Sequence, residues 1–219
     1  MNNPDCTHAL GVPLKYDRIR ELGVPYDNPR WRAYCSKDFY DVLVRIGDYL
    51  REIGLIDDSI TVLTAGCYVD KPGQHGKGNA CDFDGFLTGD DEVVLYKAGV
   101  NHEVEGYRIR SMSRRLARRI ECAIGLYAGV VLTEYYDSRH KGHIHFDISR
   151  FIDWRGSKSQ ILAVQASLKE FHNSEVAIDG IMGKQTRDNF TEFMGLEDGA
   201  QITKARWRTF LHKIARGGE

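Results

Sequence analysis

The chain has 219 residues, a formal net charge of −1 at pH 7 and a pI of about 6.7. Because its acidic and basic residues are interspersed, no basic face indicates a nucleic-acid partner. The longest apolar run, 122–132, is shorter than the about 20 residues that a transmembrane helix needs, so we expect no membrane span. The length allows one substantial core and a small second domain.

The first predicted element is a helix that follows an irregular N-terminal segment. Residues 1–35 show little periodicity and predict an extended lead-in wrapped on the domain. They contain Pro4, Pro13, Pro25 and Pro29. Ser36 then provides an N-cap for a helix over 37–53, in which apolar residues recur every three to four positions. Gly54 provides a C-terminal stop for this helix.

Two strands and a glycine-containing turn form the next predicted unit. The β-branched run 60–64 and the segment 80–87 predict strands, and 71–75 predicts the loop between them. Gly76 and Gly78 predict a tight reversal that brings the imidazole of His75 to the carboxylate of Asp82. Asp84 shares a strand face with Asp82, and is either a group that supports this site or a solvated edge carboxylate.

The middle of the chain predicts further strands and a second long helix. Runs 92–97 and 103–110 predict two strands, for which a hairpin is one arrangement. Ser113 predicts the N-cap of a helix to Tyr127, whose arginines we expect mostly in solvent. These arginines are Arg114, Arg115, Arg118 and Arg119. Strands over 130–136 and 144–148 complete the predicted fold, an α+β domain with a small antiparallel sheet and flanking helices.

A second histidine-rich segment, 137–147, suggests a metal site together with His75 and Asp82. His143 and His145 lie two residues apart in a predicted strand and therefore project from one face. A catalytic zinc ion takes three protein ligands and keeps a fourth position open. We therefore predict a zinc site made by His75, Asp82 and one of these two histidines, while the other faces the substrate.

The C-terminal part predicts a separate small helical domain. A change of composition at 154–159 marks a linker between a domain over 1–153 and a domain over 160–219. Apolar periodicity predicts a helix from about 161 to 171, a second helix ending at Phe193 and a last helix carrying Trp207 and Leu211. We therefore expect three helices in this domain.

The cysteines and the N-terminus both bear on the compartment. Five cysteines without a CxxC pair predict reduced thiols, and Cys81 is expected in the core because it faces away from Asp82. Residues 1–6 lack the basic start and apolar stretch of a signal peptide. We expect synthesis in the cytoplasm, unless a leader has been removed.

The two histidine segments carry a family resemblance. The pattern H-x-x-G-x-A-x-D from His75 to Asp82, followed by H-x-H, resembles the zinc peptidase superfamily of D-Ala-D-Ala carboxypeptidases, phage L-alanyl-D-glutamate endolysins and Hedgehog signalling domains. The run D-x-x-H-x-x-H-x-H-x-D from Asp137 to Asp147 is similar to the extensin-like C-terminal branch. The resemblance covers about 37–152 and implies that His75, Asp82 and His145 bind Zn²⁺.

The same resemblance implies roles for the remaining polar residues. Asp137 is the best candidate for the general base, with Glu134 and His140 as runners-up. His143 would donate to the oxyanion or exchange roles with His145. Relatives often carry a Ser two residues before the first ligand and an upstream Arg, but this chain has Gly73, no Arg near 67–68, and Lys71 or Lys77 as substitutes. These departures favour an endopeptidase over a strict carboxypeptidase.

A second resemblance points to the same polymer. Residues 159–214 resemble the three-helix peptidoglycan-binding module through the patterns Q-x-x-L and D-G-I-x-G-x-x-T, although a helical domain that only packs on the enzyme is an alternative. Together the resemblances imply a zinc-dependent peptidoglycan peptidase that reaches the bacterial cell wall after lysis or export, as a phage lysin or a secreted effector. The other hypothesis is a non-catalytic wall-binding protein with a structural zinc site.

Overall fold

The structure, a computed structural model, describes residues 4–16, 30–104 and 106–218. In these residues the fold is α+β, with eight strands in one mixed sheet and five α-helices. The strands are β1 Leu14–Tyr16, β2 Thr61–Gly66, β3 Ala80–Leu87, β4 Glu92–Leu95, β5 Asn101–Val104, β6 Tyr107–Ser111, β7 Val130–Leu132 and β8 Ile144–Asp147. The helices are α1 Lys37–Glu52, α2 Arg114–Gly125, α3 Lys158–Phe171, α4 Lys184–Phe193 and α5 Lys204–Ala215.

The sheet is mixed, so the prediction of a small antiparallel sheet was wrong. Its main path has the order β1-β2-β3-β4-β6-β5, while β8 pairs with the beginning of β3 and with β7. The pairs β1/β2 and β4/β6 are parallel, and the others are antiparallel. One parallel pair involves β1, a strand that lies inside the expected lead-in. The other forms because β6 is placed between β4 and β5 in the sheet.

The predicted strand over 103–110 is in fact parts of two strands. β5 and β6 form an antiparallel hairpin with Val104 paired to Tyr107, and Gly106 has a φ of 88°. This left-handed backbone favours glycine and permits the turn. The hairpin therefore joins β5 to β6, and β4 is not part of it. Pro25 and Pro29 of the predicted lead-in lie outside the described residues.

Helix α1 confirms the capping prediction and covers the sheet. The Ser36 side chain accepts a hydrogen bond from the Phe39 backbone N–H at 3.2 Å. The ring of Phe39 packs 5.7 Å from that of Phe146 in β8, which ties the helix to the strand that carries His145. The helix buries one apolar face, made by Phe39, Leu43, Ile46 and Leu50.

Helix α2 begins after its predicted cap, but one of its arginines is not in solvent. The Ser113 side chain accepts from the Leu116 N–H at 3.3 Å. Arg118 is only 1 % exposed, so the expectation of a solvated side chain was wrong for this arginine. The reason lies in the tertiary structure, since Glu121 and Glu134 supply carboxylates 2.7 Å and 3.0 Å from its guanidinium.

Strand β7 ends earlier than predicted. It covers Val130–Leu132, and the Tyr136 N–H then donates to the Thr133 carbonyl at 2.9 Å to form a turn. We call residues 133–137 the β7 loop. It leads into a short 3₁₀ turn, Ser138–His140, so the segment expected to continue as a strand instead delivers Asp137 and His140 as a loop.

The three C-terminal helices share an apolar core with α2 and α1. Trp154 packs 5.1 Å from Trp207 of α5, and the Tyr49 hydroxyl lies 2.9 Å from His212 Nδ1. Arg119 of α2 donates to the Ala215 carbonyl at 2.9 Å. All five cysteines are buried and free. Among the described residues, no helix combines the length and the apolar character that crossing a membrane requires.

Candidate metal site

Strand pairing and one tight turn bring the predicted ligands together. Strands β3 and β8 are antiparallel, and their register sets Asp82 directly opposite His145. His75 begins a 3₁₀ turn, and Gly78 ends that turn with a φ of 69°. The Ser36 N–H donates to the Gly78 carbonyl at 2.8 Å, which fixes the turn against the start of α1. The reversal predicted from the glycines therefore brings His75 to Asp82.

The three donor atoms form a compact triangle. His145 Nδ1 lies 2.9 Å from Asp82 Oδ1, His75 Nε2 lies 3.3 Å from the same oxygen, and the two nitrogens are 3.2 Å apart. Donor atoms bound tetrahedrally at about 2.0–2.1 Å from one ion lie roughly 3.3 Å from each other. The triangle thus matches the spacing that a single metal ion needs. Among the described residues this is the one group of three or more such side chains that could hold a metal ion.

In His75 and His145, the ring nitrogen that faces away from Asp82 has its own hydrogen-bond acceptor. His75 Nδ1–H donates to the Cys67 carbonyl at 3.0 Å, and His145 Nε2–H donates to Asp147 Oδ2 at 3.3 Å. Such bonds fix the ring orientation and select the tautomer that leaves the other nitrogen for a metal. The Ser149 N–H in turn holds Asp147 through Oδ1 at 2.8 Å. The protein itself therefore holds both imidazoles in an orientation that a metal ion could use.

Sequence reasoning did not assign these two acceptors. Asp147 lies two residues after His145 in β8, so the period of a strand could have identified it as a neighbour on the same face. The Cys67 carbonyl had no such signal, because a backbone acceptor eight residues before His75 becomes visible only in the folded loop.

The charges of the site reinforce each other in the metal-free protein. Burial lowers the pKa of His145, but hydrogen bonds to Asp147 and Asp82 outweigh burial and raise it to about 9. Burial raises the pKa of Asp82, but hydrogen bonds from His145 and His75 hold it well below its usual range. A protonated His145 therefore neutralises Asp82, and a metal ion has to displace that proton.

Two more histidines lie beside the donor triangle. His143 Nε2 is 3.7 Å from Asp82 Oδ1, so His143 and His145 both project toward Asp82 from one side of the sheet, which agrees with their predicted common face. The ring of His140 lies 5.3 Å from that of His143 and 5.9 Å from that of His145. His143 and His140 are 8 % and 9 % exposed. Both imidazoles thus stand next to the site in largely dry surroundings.

Asp137 reaches this group through His140. His140 Nδ1–H donates to Asp137 Oδ1 at 2.7 Å, which leaves Nε2 as the nitrogen with a free lone pair. Asp137 also accepts from the Arg139 backbone N–H at 2.8 Å and from its guanidinium at 3.0 Å. Desolvation raises the pKa of Asp137, but these hydrogen bonds outweigh it and hold the pKa below its usual range. Asp137 is thus ionised and fixes the His140 ring.

Glu134, an alternative general base, and Asp84, a possible supporting carboxylate, lie in different environments. The Glu134 carboxylate binds Arg118 at 3.0 Å, so it is engaged with helix α2. Asp84 is 1 % exposed, so it is not a solvated edge carboxylate. Lys71 and Lys77, the substitutes for a substrate-binding arginine, are exposed on the loop and turn around His75.

Comparisons of the chain with protein-family models, with curated proteins and with solved structures gave no match. The site comprises two imidazole nitrogens and one carboxylate oxygen, with a second pair of histidines beside them.

Proposed function

We propose that this chain is a zinc-dependent peptidoglycan peptidase that cleaves amide bonds in the stem peptide or the cross-bridge. The observation that carries the proposal is the donor triangle of His75, Asp82 and His145, in which each imidazole is oriented by a separate hydrogen bond. These hydrogen bonds turn the other nitrogen of each ring toward the same Asp82 oxygen, which is the arrangement that one shared metal ion needs.

The donor set fits zinc in a catalytic role. Two nitrogens and one oxygen are common catalytic zinc ligands, and three protein ligands leave one coordination position open. When bound, a zinc ion supplies a Lewis acid that polarises a carbonyl and lowers the pKa of water toward neutrality. His75 and His145 would hold it through Nε2 and Nδ1, and Asp82 through a carboxylate oxygen.

The neighbouring residues supply proton transfer. With Nδ1–H bound to Asp137, His140 has Nε2 available to accept a proton from the attacking water and to pass it to the departing amine. Asp137, predicted from the sequence as the base, acts in this proposal through His140 by fixing its tautomer and stabilising its charged form. His143 is the proposed donor to the oxyanion of the substrate. Its Nε2 lies 3.7 Å from Asp82 Oδ1, which places its ring directly beside the proposed metal ligands.

The substrate class follows from the sequence patterns and the C-terminal helices. The patterns in 75–82 and 137–147 and those in 165–186 resemble two different kinds of protein that act on peptidoglycan. A groove on the C-terminal side is lined by Trp154, Met182, Arg187, Phe190, Ala200, Gln201 and Ile202. Its mixture of aromatic, cationic and amide groups is suited to contacts with a glycan or a peptide, and we propose it as the contact with the wall.

The experiment that tests catalysis uses variants that keep the metal ligands. His140→Ala and His143→Ala are assayed for release of new amino groups from purified peptidoglycan, with bound zinc measured in the same samples. We expect both variants to retain zinc and to lose about 10²-fold or more in rate. His102→Ala, an exposed histidine on β5, is the matched control and keeps the full rate. A wild-type protein that binds zinc and peptidoglycan but releases no amino groups would establish the wall-binding alternative.

A further inference from the structure

Arg118 is a buried cation in the middle of α2. Its side chain is 2 % exposed, and its Nη2 contacts Glu121 at 2.7 Å, Glu134 at 3.0 Å and the Tyr96 hydroxyl at 3.4 Å. Nε and Nη1 are buried without a hydrogen-bond partner among the described residues, while the guanidinium carbon lies 5.0 Å from the centre of the Tyr135 ring. Burying such a charge is costly unless its partners are fixed.

Two of these four partners, Glu134 and Tyr135, lie on the β7 loop. Glu134 binds the guanidinium through its carboxylate, and Tyr135 covers the guanidinium with its ring. The Glu134 backbone N–H donates to the Tyr96 hydroxyl at 3.1 Å, and that hydroxyl donates to Glu121 at 2.6 Å. Side-chain and backbone contacts thus hold Glu134 and Tyr135 against Arg118 and Tyr96.

Glu134 and Tyr135 lie shortly before Asp137 and His140, the proposed proton-transfer pair. Tyr136 packs its ring 5.9 Å from His140, and Asp137 binds His140 Nδ1 at 2.7 Å. Only two residues separate Glu134 from Asp137 along the chain, so a shift of Glu134 moves the carboxylate that orients His140. A displacement of about 1 Å in such a group is enough to reduce turnover strongly.

The β7 loop supplies one of the two carboxylates that face the buried cation. Glu121 lies on α2 itself, 2.7 Å from Nη2, and burial raises its pKa to about 7, although Arg118 and Tyr96 oppose this effect. Glu134 lies 3.0 Å from the same nitrogen and comes from the loop. The contact between Glu134 and Arg118 gives the loop one preferred position.

We propose that Arg118 is a positioning residue for the reaction: with Tyr96, it holds the β7 loop so that Asp137 and His140 stand beside the metal site. This inference rests on the proposed function for its catalytic consequence. Whether Arg118 holds the loop does not depend on catalysis and is measured separately.

The first measurement is amide hydrogen exchange of the zinc-loaded protein. Arg118→Met is compared with Arg115→Met, which removes the same charge from an exposed position of α2 three residues earlier. We expect exchange across 133–140 to become about tenfold faster in Arg118→Met and to stay unchanged in Arg115→Met and across 75–87. Unchanged exchange across 133–140 in a folded Arg118→Met protein would overturn the proposal. Should this variant fail to fold, Tyr96→Phe decides in the same way, because it removes only the hydroxyl that accepts from Glu134.

The second measurement separates positioning from general loss of structure. On peptidoglycan fragments we expect Arg118→Met and Tyr96→Phe to lower kcat by about tenfold or more, while KM and zinc affinity stay within about twofold of wild type. A proportional loss of zinc affinity and kcat would overturn positioning in favour of a purely structural role. A wild-type protein that cleaves nothing refutes the proposed function, and the exchange result alone then decides whether Arg118 holds the loop.

Discussion

Two carboxylates hold two different imidazoles in this site, and the difference assigns them different tasks. Asp147 accepts from His145, a proposed metal ligand, whereas Asp137 accepts from His140, the proposed proton acceptor. Removing the negative charge from each carboxylate therefore has separable effects. The acceptor behind a ligand tunes metal affinity, and the acceptor behind a base tunes turnover.

This difference predicts opposite outcomes for a matched pair of substitutions. Asp147→Asn is expected to weaken zinc binding by about 10- to 100-fold, because the His145 ring loses its charged acceptor. Asp137→Asn is expected to keep zinc affinity and to lose about 10²-fold or more in turnover. Chelator competition measures the first property and release of amino groups the second. Equal zinc affinity in Asp147→Asn and wild type would contradict the proposed role of Asp147.

The raised pKa of His145 predicts how stability depends on pH in the metal-free protein. The folded-state pKa is about 9, above the ordinary value of 6.5, so the stabilising contribution is complete below about pH 6.5 and is lost as the pH rises through 9. The loss is on the order of 3 kcal/mol, since one pKa unit corresponds to about 1.4 kcal/mol.

Denaturant titration of the chelated protein between pH 6 and 10 measures this dependence. His145→Gln removes the titrating group, and we expect the decline in unfolding free energy between about pH 6.5 and 9 to flatten in this variant. If the variant keeps the slope of the wild type, the decline belongs to other groups and the assignment to His145 is wrong.

At the residue scale, local patterns predicted the members of the candidate metal site but not the groups that orient them. His75, Asp82, His143 and His145 could be identified from the sequence because short-range spacing and strand alternation bring them together. Arg118 was expected in solvent because the apolar periodicity of the helix places Leu116 and Ile120 inward and its arginines mostly outward. Its burial depends on Glu134 and Tyr96, whose distance from α2 along the chain gives no local signal.

Among the elements, the turn between His75 and Asp82 contains a glycine with left-handed backbone. Gly78 has a φ of 69°, and a Cβ at this position would lie 2.8 Å from the Ser36 backbone nitrogen. Gly78→Ala is therefore expected to lower the unfolding free energy by about 2–4 kcal/mol, through left-handed strain and a backbone clash.

Gly99→Ala is the matched control for this substitution. Gly99 has a similar φ of 75°, but a Cβ there meets no atom within 4 Å. It should therefore lose only about 1–2 kcal/mol, from left-handed strain alone. Chemical denaturation compares the two variants, and equal losses would show that the contact with Ser36 does not constrain the turn.

The elements that could be predicted are those with local start and stop signals. Ser36 and Ser113 marked the beginnings of α1 and α2 because a cap acts on the first turn of its own helix. The parallel pairing of β4 with β6 could not be read from either strand, because it depends on which strands become neighbours. The early end of β7 has a similar cause, since contacts of Glu134 with Arg118 and Tyr96 hold the following residues in a loop.

At the scale of the whole molecule, the C-terminal helices are packed as part of the same core as α2. Trp207 of α5 is 4 % exposed and contacts both Trp154 and Phe210. The Lys158 ammonium of α3 donates to the Tyr136 carbonyl at 3.1 Å, so these helices also contact the β7 loop. Within the predicted linker 154–159, Trp154 is partly buried and packs against this core.

This packing predicts that the chain unfolds in one transition. Trp207→Ala is expected to lower the unfolding free energy of the whole molecule by about 3–5 kcal/mol, because a large buried ring is removed. Phe151→Ala is the control, since Phe151 is 87 % exposed and should change stability by less than about 0.5 kcal/mol. Calorimetry with two separate transitions, of which Trp207→Ala shifts only one, would contradict a shared core.

The most direct test of the central claim, metal-dependent hydrolysis of peptidoglycan, is mass spectrometry of purified peptidoglycan after digestion. The zinc-loaded protein is run beside a chelated sample and the His75→Ala variant, which lacks one of the three proposed ligands. The proposed mechanism predicts new amino termini at one type of stem-peptide or cross-bridge bond, present with zinc and absent from both controls. Intact muropeptides from a zinc-loaded protein that still sediments with the wall would contradict it.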